Sequence, residues 1–181
     1  RVLDLFGNDT FTIGVLVLSN FGKMHALTVD GAVVGRQLNE EFDMAGRREV
    51  SEGSIIVVVA TDLPLLTSQL NRVAKRAALG LGRTGSCAAS TSGEIIIAFS
   101  TGNRKPRQAP TSSKFLTLKC ISDSHINLVY EAVIEATEEA VLNAICCSNG
   151  MTGREQRWCP PVPHERLIEL LRKGRTIHES N

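Results

Sequence analysis

The pattern of this chain predicts an α/β fold, with sheets covered by helices. Three stretches carry that expectation. Ile55-Ile56-Val57-Val58-Val59-Ala60 is a continuous apolar run, the mark of a strand buried on both faces. Leu66, Leu70, Val73 and Ala77 fall at i, i+4, i+7 and i+11, one face of a helix. Ile126, Val129, Val133, Ala136, Ala140, Ala144 and Ile145 repeat at helical spacing over a longer span.

The remaining elements fall between these. Residues 9–19 are mostly β-branched or apolar and predict a strand, broken by Asn20-Phe21-Gly22. Residues 25–36 predict a hairpin, with Asp30-Gly31 at a two-residue turn. Residues 36–53, with Arg47, Arg48, Glu49 and Glu52, read as an exposed polar segment ending at Gly53-Ser54. Thr61-Asp62-Leu63-Pro64 reads as a helix start, and Arg72, Lys75 and Arg76 take that helix's solvent face. Gly80, Gly82 and Gly85 read as a glycine-rich turn, followed by a strand from Glu94 to Phe99. Residues 101–113 read as a loop and 115–121 as a short strand. Ser122 or Asp123 is the expected cap of the long helix, and Asn149-Gly150 its stop. A proline-rich link (Pro160, Pro161, Pro163) leads to a last short helix through Leu167, Leu170 and Leu171.

Composition narrows the function classes. The 181 residues suit a single domain, and a net charge of +1 with 4% aromatics gives no footprint for nucleic acid or an anionic membrane. The apolar runs fall short of the ~18 residues that span a bilayer. The five cysteines (Cys87, Cys120, Cys146, Cys147, Cys159) are odd in number and lack a CxxC pair. They read as free thiols of a reducing cytoplasm, not as a disulfide framework or a zinc site. His25, His125, His164 and His178 are scattered, and no metal or cofactor is expected. The glycines at 80, 82 and 85 lack the Gly-Lys-Ser/Thr of a phosphate loop. Arg104-Lys105-Pro106-Arg107 reads as a solvated loop. The chain opens on Arg1, not Met, and its natural start is expected upstream.

Three places could carry chemistry. Ser54 follows a polar loop and heads a buried strand. A cut between Gly53 and Ser54 would leave an α-amine, of ordinary pKa about 7.7–8.0, beside the serine's own hydroxyl. Such an amine can act as the general base of an N-terminal nucleophile. Gly53 leaves its carbonyl open to attack. Ser92 and Glu94 are two residues apart at a strand start, so their side chains share a face. The carboxylate could accept from Ser92 and orient either the nucleophile or its amine. Asn20 ends a strand where its amide could donate to an oxyanion. Each also has a plain structural meaning: a turn, a strand-edge pair, an Asn-Phe-Gly turn residue.

Taken in order, these stretches resemble one family. Gly53 to Leu65 (GSIIVVVATDLPL) looks like the new amino terminus of the L-aminopeptidase D-amidase/esterase family, the D-aminopeptidase and β-aminopeptidase group of self-cleaving N-terminal-serine peptidases. Arg76 to Ser86, Ser92 to Thr101, Glu135 to Ala144 and Met151 to Arg154 are similar to further family stretches. So are Thr12 to Val17, Ser19 to Gly22 and Val34 to Arg36. The resemblance implies a four-layer αββα sandwich, akin to N-terminal-nucleophile hydrolases but differently connected.

The resemblance also assigns roles. The precursor would cut itself between Gly53 and Ser54. Residues 1–53 would end the α piece and 54–181 form the β piece, all within one catalytic domain that lacks the first half of the α piece. Ser54 would be the nucleophile, Ser92 and Glu94 its support, and Asn20 the oxyanion donor. The implied activity is release of N-terminal residues from small peptides, amides or esters with a free amino terminus. Assembly into oligomers of αβ units is implied as well, with no metal, nucleic acid or membrane involved. An acyltransferase like the ornithine acetyltransferases is a second reading, weakened because those relatives use threonine where Ser54 stands. A non-catalytic homologue of the same fold is a third.

Overall fold

The computed structural model describes residues 1–5, 9–41, 53–104, 115–156 and 158–179. β1 (Val2–Leu5) and β2 (Asp9–Asn20) pair antiparallel. A 3-10 turn (Met24–Ala26) leads into the hairpin of β3 (Thr28–Val29) and β4 (Ala32–Val33), turned by Asp30 and Gly31 at φ 50° and 76°. α1 (Gly35–Glu41) follows. β5 (Gly53–Thr61) lies antiparallel to β2, α2 (Thr67–Arg83) crosses over, and β6 (Ser92–Ser100) returns parallel to β5. The sheet order is β1-β2-β5-β6. α3 (Ile126–Cys146), the small hairpin of β7 (Met151–Thr152) and β8 (Trp158–Cys159), and α4 (His164–Glu179) complete the chain.

Alternation along β5 sets the layers, because successive side chains point to opposite faces. Ile55, Val57 and Val59 are buried with Val73, Ala77 and Leu81 of α2 and Val129 and Val133 of α3. Each isoleucine, valine or leucine among them contributes roughly 1.5–3 kcal/mol. The other face is open: Leu16 and Leu18 of β2 are each 71% exposed, and Ile95 and Ile97 of β6 are 56% and 54% exposed. The α/β class therefore stands. The expectation that β5 is buried on both faces does not hold among the described residues, where one helical layer covers one face.

Other expectations shift for local reasons. Thr61-Asp62-Leu63-Pro64 does not start α2, which begins at Thr67. Asp62 Oδ1 instead accepts the Thr12 N–H (2.7 Å) and Thr61 Oγ1 donates to the Thr12 carbonyl (2.7 Å), so both side chains pin β5 to β2. Gln69 Oε1 reaches back to the Leu66 N–H (3.2 Å) at the true start. Gly80 and Gly82 lie inside α2, and Gly85 alone of the three sits in the turn, at φ 99°. Part of the segment read as exposed and polar, residues 36–41, lies in α1, because Leu38 is buried beside Val34. Residues 42–52 and 105–114 lie outside the described residues, and with them Lys105 and Arg107. Residues 115–121 form no strand. Phe115, Leu116 and Leu118 are exposed, and the Asn103 side chain takes both backbone bonds of Lys119 at 2.9 Å.

α3 is preceded by a 3-10 turn (Asp123–His125) and lacks a side-chain cap. Asp123 is drawn away to Gln69 (3.0 Å) and Arg72 (2.6 Å) on α2, and Arg72 above all holds its carboxyl below the usual range. Glu138 and Glu139 divide along α3: Glu138 meets Arg83 of α2, and Glu139 sits further out near Arg1. α2 and α3 also meet at Gly80, where a Cβ would lie 2.5 Å from the Ile134 carbonyl oxygen. A second apolar cluster joins Val34 and Leu38 to Leu167 and Leu170 of α4. A chain of ions ties its helices: Arg166 binds the Glu41 carboxylate (Nε–Oε2 2.7 Å) and Glu169 (2.7 Å), which also binds Lys173 (2.7 Å).

Two outcomes follow from this packing. Alanine is favoured over glycine in a helix by about 1 kcal/mol, yet Gly80→Ala is expected to destabilise the chain, because the clash with α3 outweighs that gain. Urea unfolding reads the sign. Glu169 is pulled from its ordinary 4.5 down to about 2, by its bonds to Lys173 and Arg166. A carboxyl lowered in this way stabilises the fold above its ordinary range and loses that contribution as the pH falls from 4.5 towards about 2. A side-chain NMR titration of Glu169 should give that depressed midpoint, and Lys173→Ala should raise it.

Candidate active site

The first two residues of β5 sit between the ends of both neighbours. Gly53 pairs with Ser92 of β6, and Ser54 pairs with Asn20 of β2 and with Gly93 of β6. All five positions singled out in the sequence (Asn20, Gly53, Ser54, Ser92 and Glu94) therefore meet at one end of the sheet. Residues directly opposite on antiparallel strands have Cβ atoms about 4.5–5.5 Å apart. That spacing puts the Asn20 amide within reach of an oxygen bound beside Ser54 Oγ. Both residues are exposed.

Ser92 and Glu94 behave as a unit, with Ser92 Oγ donating to Glu94 Oε1 at 2.7 Å. Their face is not that of Ser54. Glu94 pairs with Ile55 and shares its side of β6 with Ile96 and Ala98, which pack towards the helices. Ser54 and Asn20 lie on the open face, with Ile56 and Leu18. The two groups thus approach the Gly53–Ser54 peptide from opposite sides of the sheet.

Two glycines shape the space. Gly93 was not singled out in the sequence, though its place between Ser92 and Glu94 was a signal. A Cβ there would stand 3.5 Å from Ser54 Oγ, in ordinary van der Waals contact, which places Gly93 directly beside that oxygen. At Gly53 a Cβ would lie 2.7 Å from the Asn20 carbonyl oxygen and 3.0 Å from Phe21 Cα. Only glycine lets the end of β2 come this close to the start of β5. Beside this junction a cavity of about 400 Å³ opens, walled by Asn20, Phe21 and Met24, by Val141 and Ile145 of α3, and by Pro160–Pro163. Among the described residues no cluster of three or more His, Cys, Asp or Glu could hold a metal ion, and no helix is long and apolar enough to cross a membrane.

Solved structures share this helix-covered sheet. The L-aminopeptidase D-Ala-esterase/amidase of Ochrobactrum anthropi, described as a new variant among the Ntn hydrolase fold, superposes with a TM-score of 0.81 at 41% identity, covering 96% of this chain and 46% of its own. The PH0078 protein of Pyrococcus horikoshii OT3 superposes with a TM-score of 0.83 at 40% identity, covering 96% and 46%. The chain belongs to Peptidase family S58, whose model matches residues 1–159. Beta-peptidyl aminopeptidase BapA of Sphingosinicella microcystinivorans is 36% identical over 188 aligned residues, 98% of this chain and 47% of that protein. The chain thus spans about half the length of these relatives.

The Gly53 contact has a measurable consequence. Gly53→Ala should push the start of β5 off β2. Amide hydrogen exchange should then quicken at Asn20, while Val57 and Val59, deep in the ladder, keep their protection.

Proposed function

We propose that this chain is the catalytic portion of a self-processing aminopeptidase or amidase, with Ser54 as its nucleophile. The observation that carries this reading is the register of β5, which sets Ser54 against Asn20 and Gly53 against Ser92. Membership of a peptidase family, and likeness to aminopeptidases named as such, support it.

In the first stage Ser54 Oγ attacks the Gly53 carbonyl carbon. The C–N bond breaks, the Ser54 nitrogen takes a proton, and an ester links Gly53 to Oγ. Water then hydrolyses that ester and frees Ser54 with its α-amine. In the second stage the same Oγ attacks the carbonyl of a substrate's N-terminal residue. The leaving amine takes a proton, and water releases the acyl residue. Asn20, on the same face as Ser54, donates to the oxyanion in both stages.

We divide the proton work by the face that each group occupies. Ser92 and Glu94 stand on the helix side, across from Gly53, and bear on the Ser54 nitrogen more directly than on its Oγ. Their role is to hold the freed amine in the orientation that takes the Oγ proton. Substrates are small peptides, amides or esters with a free amino terminus. The mature protein would assemble as an oligomer of αβ units in the cytoplasm. The acyltransferase alternative is not favoured, because the named relatives are peptidases and amidases.

Ser54→Ala tests the reading. The protein carrying this chain should then remain uncut at Gly53–Ser54 by intact mass. Hydrolysis of aminoacyl p-nitroanilides should fall by about 10,000-fold or more. Appearance of the same two pieces from the Ser54→Ala protein would overturn the proposal. Asn20→Ala should leave a slow enzyme, down by about 100- to 1,000-fold in kcat.

A further inference from the structure

We infer that Gly85 is a positioning residue of the site: its bare backbone, packed on the turn that follows Asn20, keeps the Asn20 amide opposite Ser54. The inference rests on the aminopeptidase reading above and adds to it the device that sets the oxyanion donor. Asn20 is the last residue of β2. Only Phe21, Gly22 and Lys23 separate it from the 3-10 turn Met24–Ala26. Where that turn sits therefore limits where Asn20 can sit. Two glycines grip the turn. A Cβ on Gly35, at the head of α1, would run into the Met24 carbonyl oxygen and lie 2.6 Å from the Leu27 nitrogen. A Cβ on Gly85, just past α2, would run into the Ala26 carbonyl oxygen and lie 2.7 Å from the Ala26 carbonyl carbon. Beside Gly85, the Thr84 carbonyl accepts the Thr28 N–H at 3.2 Å.

A glycine at positive φ just past a helix is an ordinary stop, and Gly85, at φ 99°, is one. Its contact with Ala26 does more than end α2. Gly35 precedes the proposed cut, on the same piece as Asn20. Thr84 and Gly85 follow it, on the piece that Ser54 heads. The Gly85–Ala26 contact and the Thr28–Thr84 hydrogen bond therefore cross from one piece to the other. In a cut protein they join the β2–β5 ladder in holding Asn20 against Ser54. Their firmness comes from α2, whose Val73, Ala77 and Leu81 lie in the core. Thr84 Oγ1 donates to the Leu81 carbonyl at 2.8 Å, and the Ser86 N–H donates to the same carbonyl at 3.2 Å. The chain then runs on to Ser92, whose N–H donates to the Ala89 carbonyl at 2.8 Å. One anchored helix end thus carries both a hold on Asn20 and the approach to Ser92.

The test is Gly85→Asn in the protein carrying this chain. Asparagine is the residue that follows glycine in tolerating this helix-end conformation, yet it brings a Cβ against Ala26. Hydrolysis of aminoacyl p-nitroanilides gives kcat and KM for the cut protein. The kcat should fall about 10- to 100-fold, and kcat/KM with it, the sign of an interaction made only in the transition state. Because Asn20 serves both stages, the rate of cutting, followed by intact mass, should fall as well. The deciding comparison is with Asn20→Ala. There the donor is already gone, so adding Gly85→Asn should cost no more than about two-fold. Gly80→Ala also forces a Cβ against a backbone oxygen, but on the α3 side of α2, and should leave kcat within about two-fold. Thr84→Ala loosens the end of α2 without adding bulk. It should show the same non-additive pattern, and it replaces Gly85→Asn if that variant does not fold. An unchanged kcat in the cut Gly85→Asn protein, a loss carried in full into the Asn20→Ala background, or an equal loss from Gly80→Ala overturns the positioning role and leaves the aminopeptidase reading intact. An unsubstituted protein that neither cuts itself nor releases p-nitroaniline overturns that reading, and the positioning role with it.

Discussion

The structure hangs on β5, an inner strand with a partner on each side and a helical layer over one face. β2 pairs along it from Ile13 to Asn20, and β6 from Ser92 to Ser100. Its apolar run does two jobs at once. Ile55, Val57 and Val59 anchor the sheet to α2 and α3, and that anchorage fixes where Gly53 and Ser54 must lie. A slip of one residue would turn every buried side chain to the open face. The core residues therefore specify the site's register, Ile55 from its place beside Ser54 and opposite Glu94.

The helical layer is pinned in turn by small contacts of high consequence. Gly80 lets α2 meet the backbone of α3. The Arg76 guanidinium lies 4.1 Å from the centre of the Tyr130 ring across the same interface, an arrangement that attracts a cation to the ring face. Thr61 and Asp62 close the far end of β5 onto Thr12. The end that carries Ser54 has no such side-chain staple among the described bonds and depends on glycine for its close approach.

Much of this was legible in the sequence, for identifiable reasons. The period-3.6 repeats of α2 and α3 and the Asp30-Gly31 turn are local signals, and they survive folding unchanged. Signals that depend on distant partners were misread. Asp62 and Asp123 look like helix caps, but β2 and α2 respectively take their side chains. Leu38 lies in a polar stretch and makes a helix only because α4 comes to cover it. The gathering of Asn20, Ser54 and Ser92 could be inferred from resemblance but not from spacing, since strand pairing brings them together across the chain. The opposite facing of Ser54 and the Ser92–Glu94 pair is a fact of register that no motif spells out.

The proposed cut falls between two strands of one sheet, which changes what folding means for this molecule. β2 would belong to one polypeptide and β5 to another, yet the ladder between them runs from Ile13–Thr61 to Asn20–Ser54. An uncut chain unfolds as a single body, and its midpoint is indifferent to concentration. A cut one becomes a complex of two strands' worth of partners, so dilution favours the separated state and mass action enters the stability. The link that brought the pieces together is then gone, and assembly that was first intramolecular becomes a meeting of two solutes. Processing would thus store in the folded state a history that its sequence, once divided, no longer guarantees.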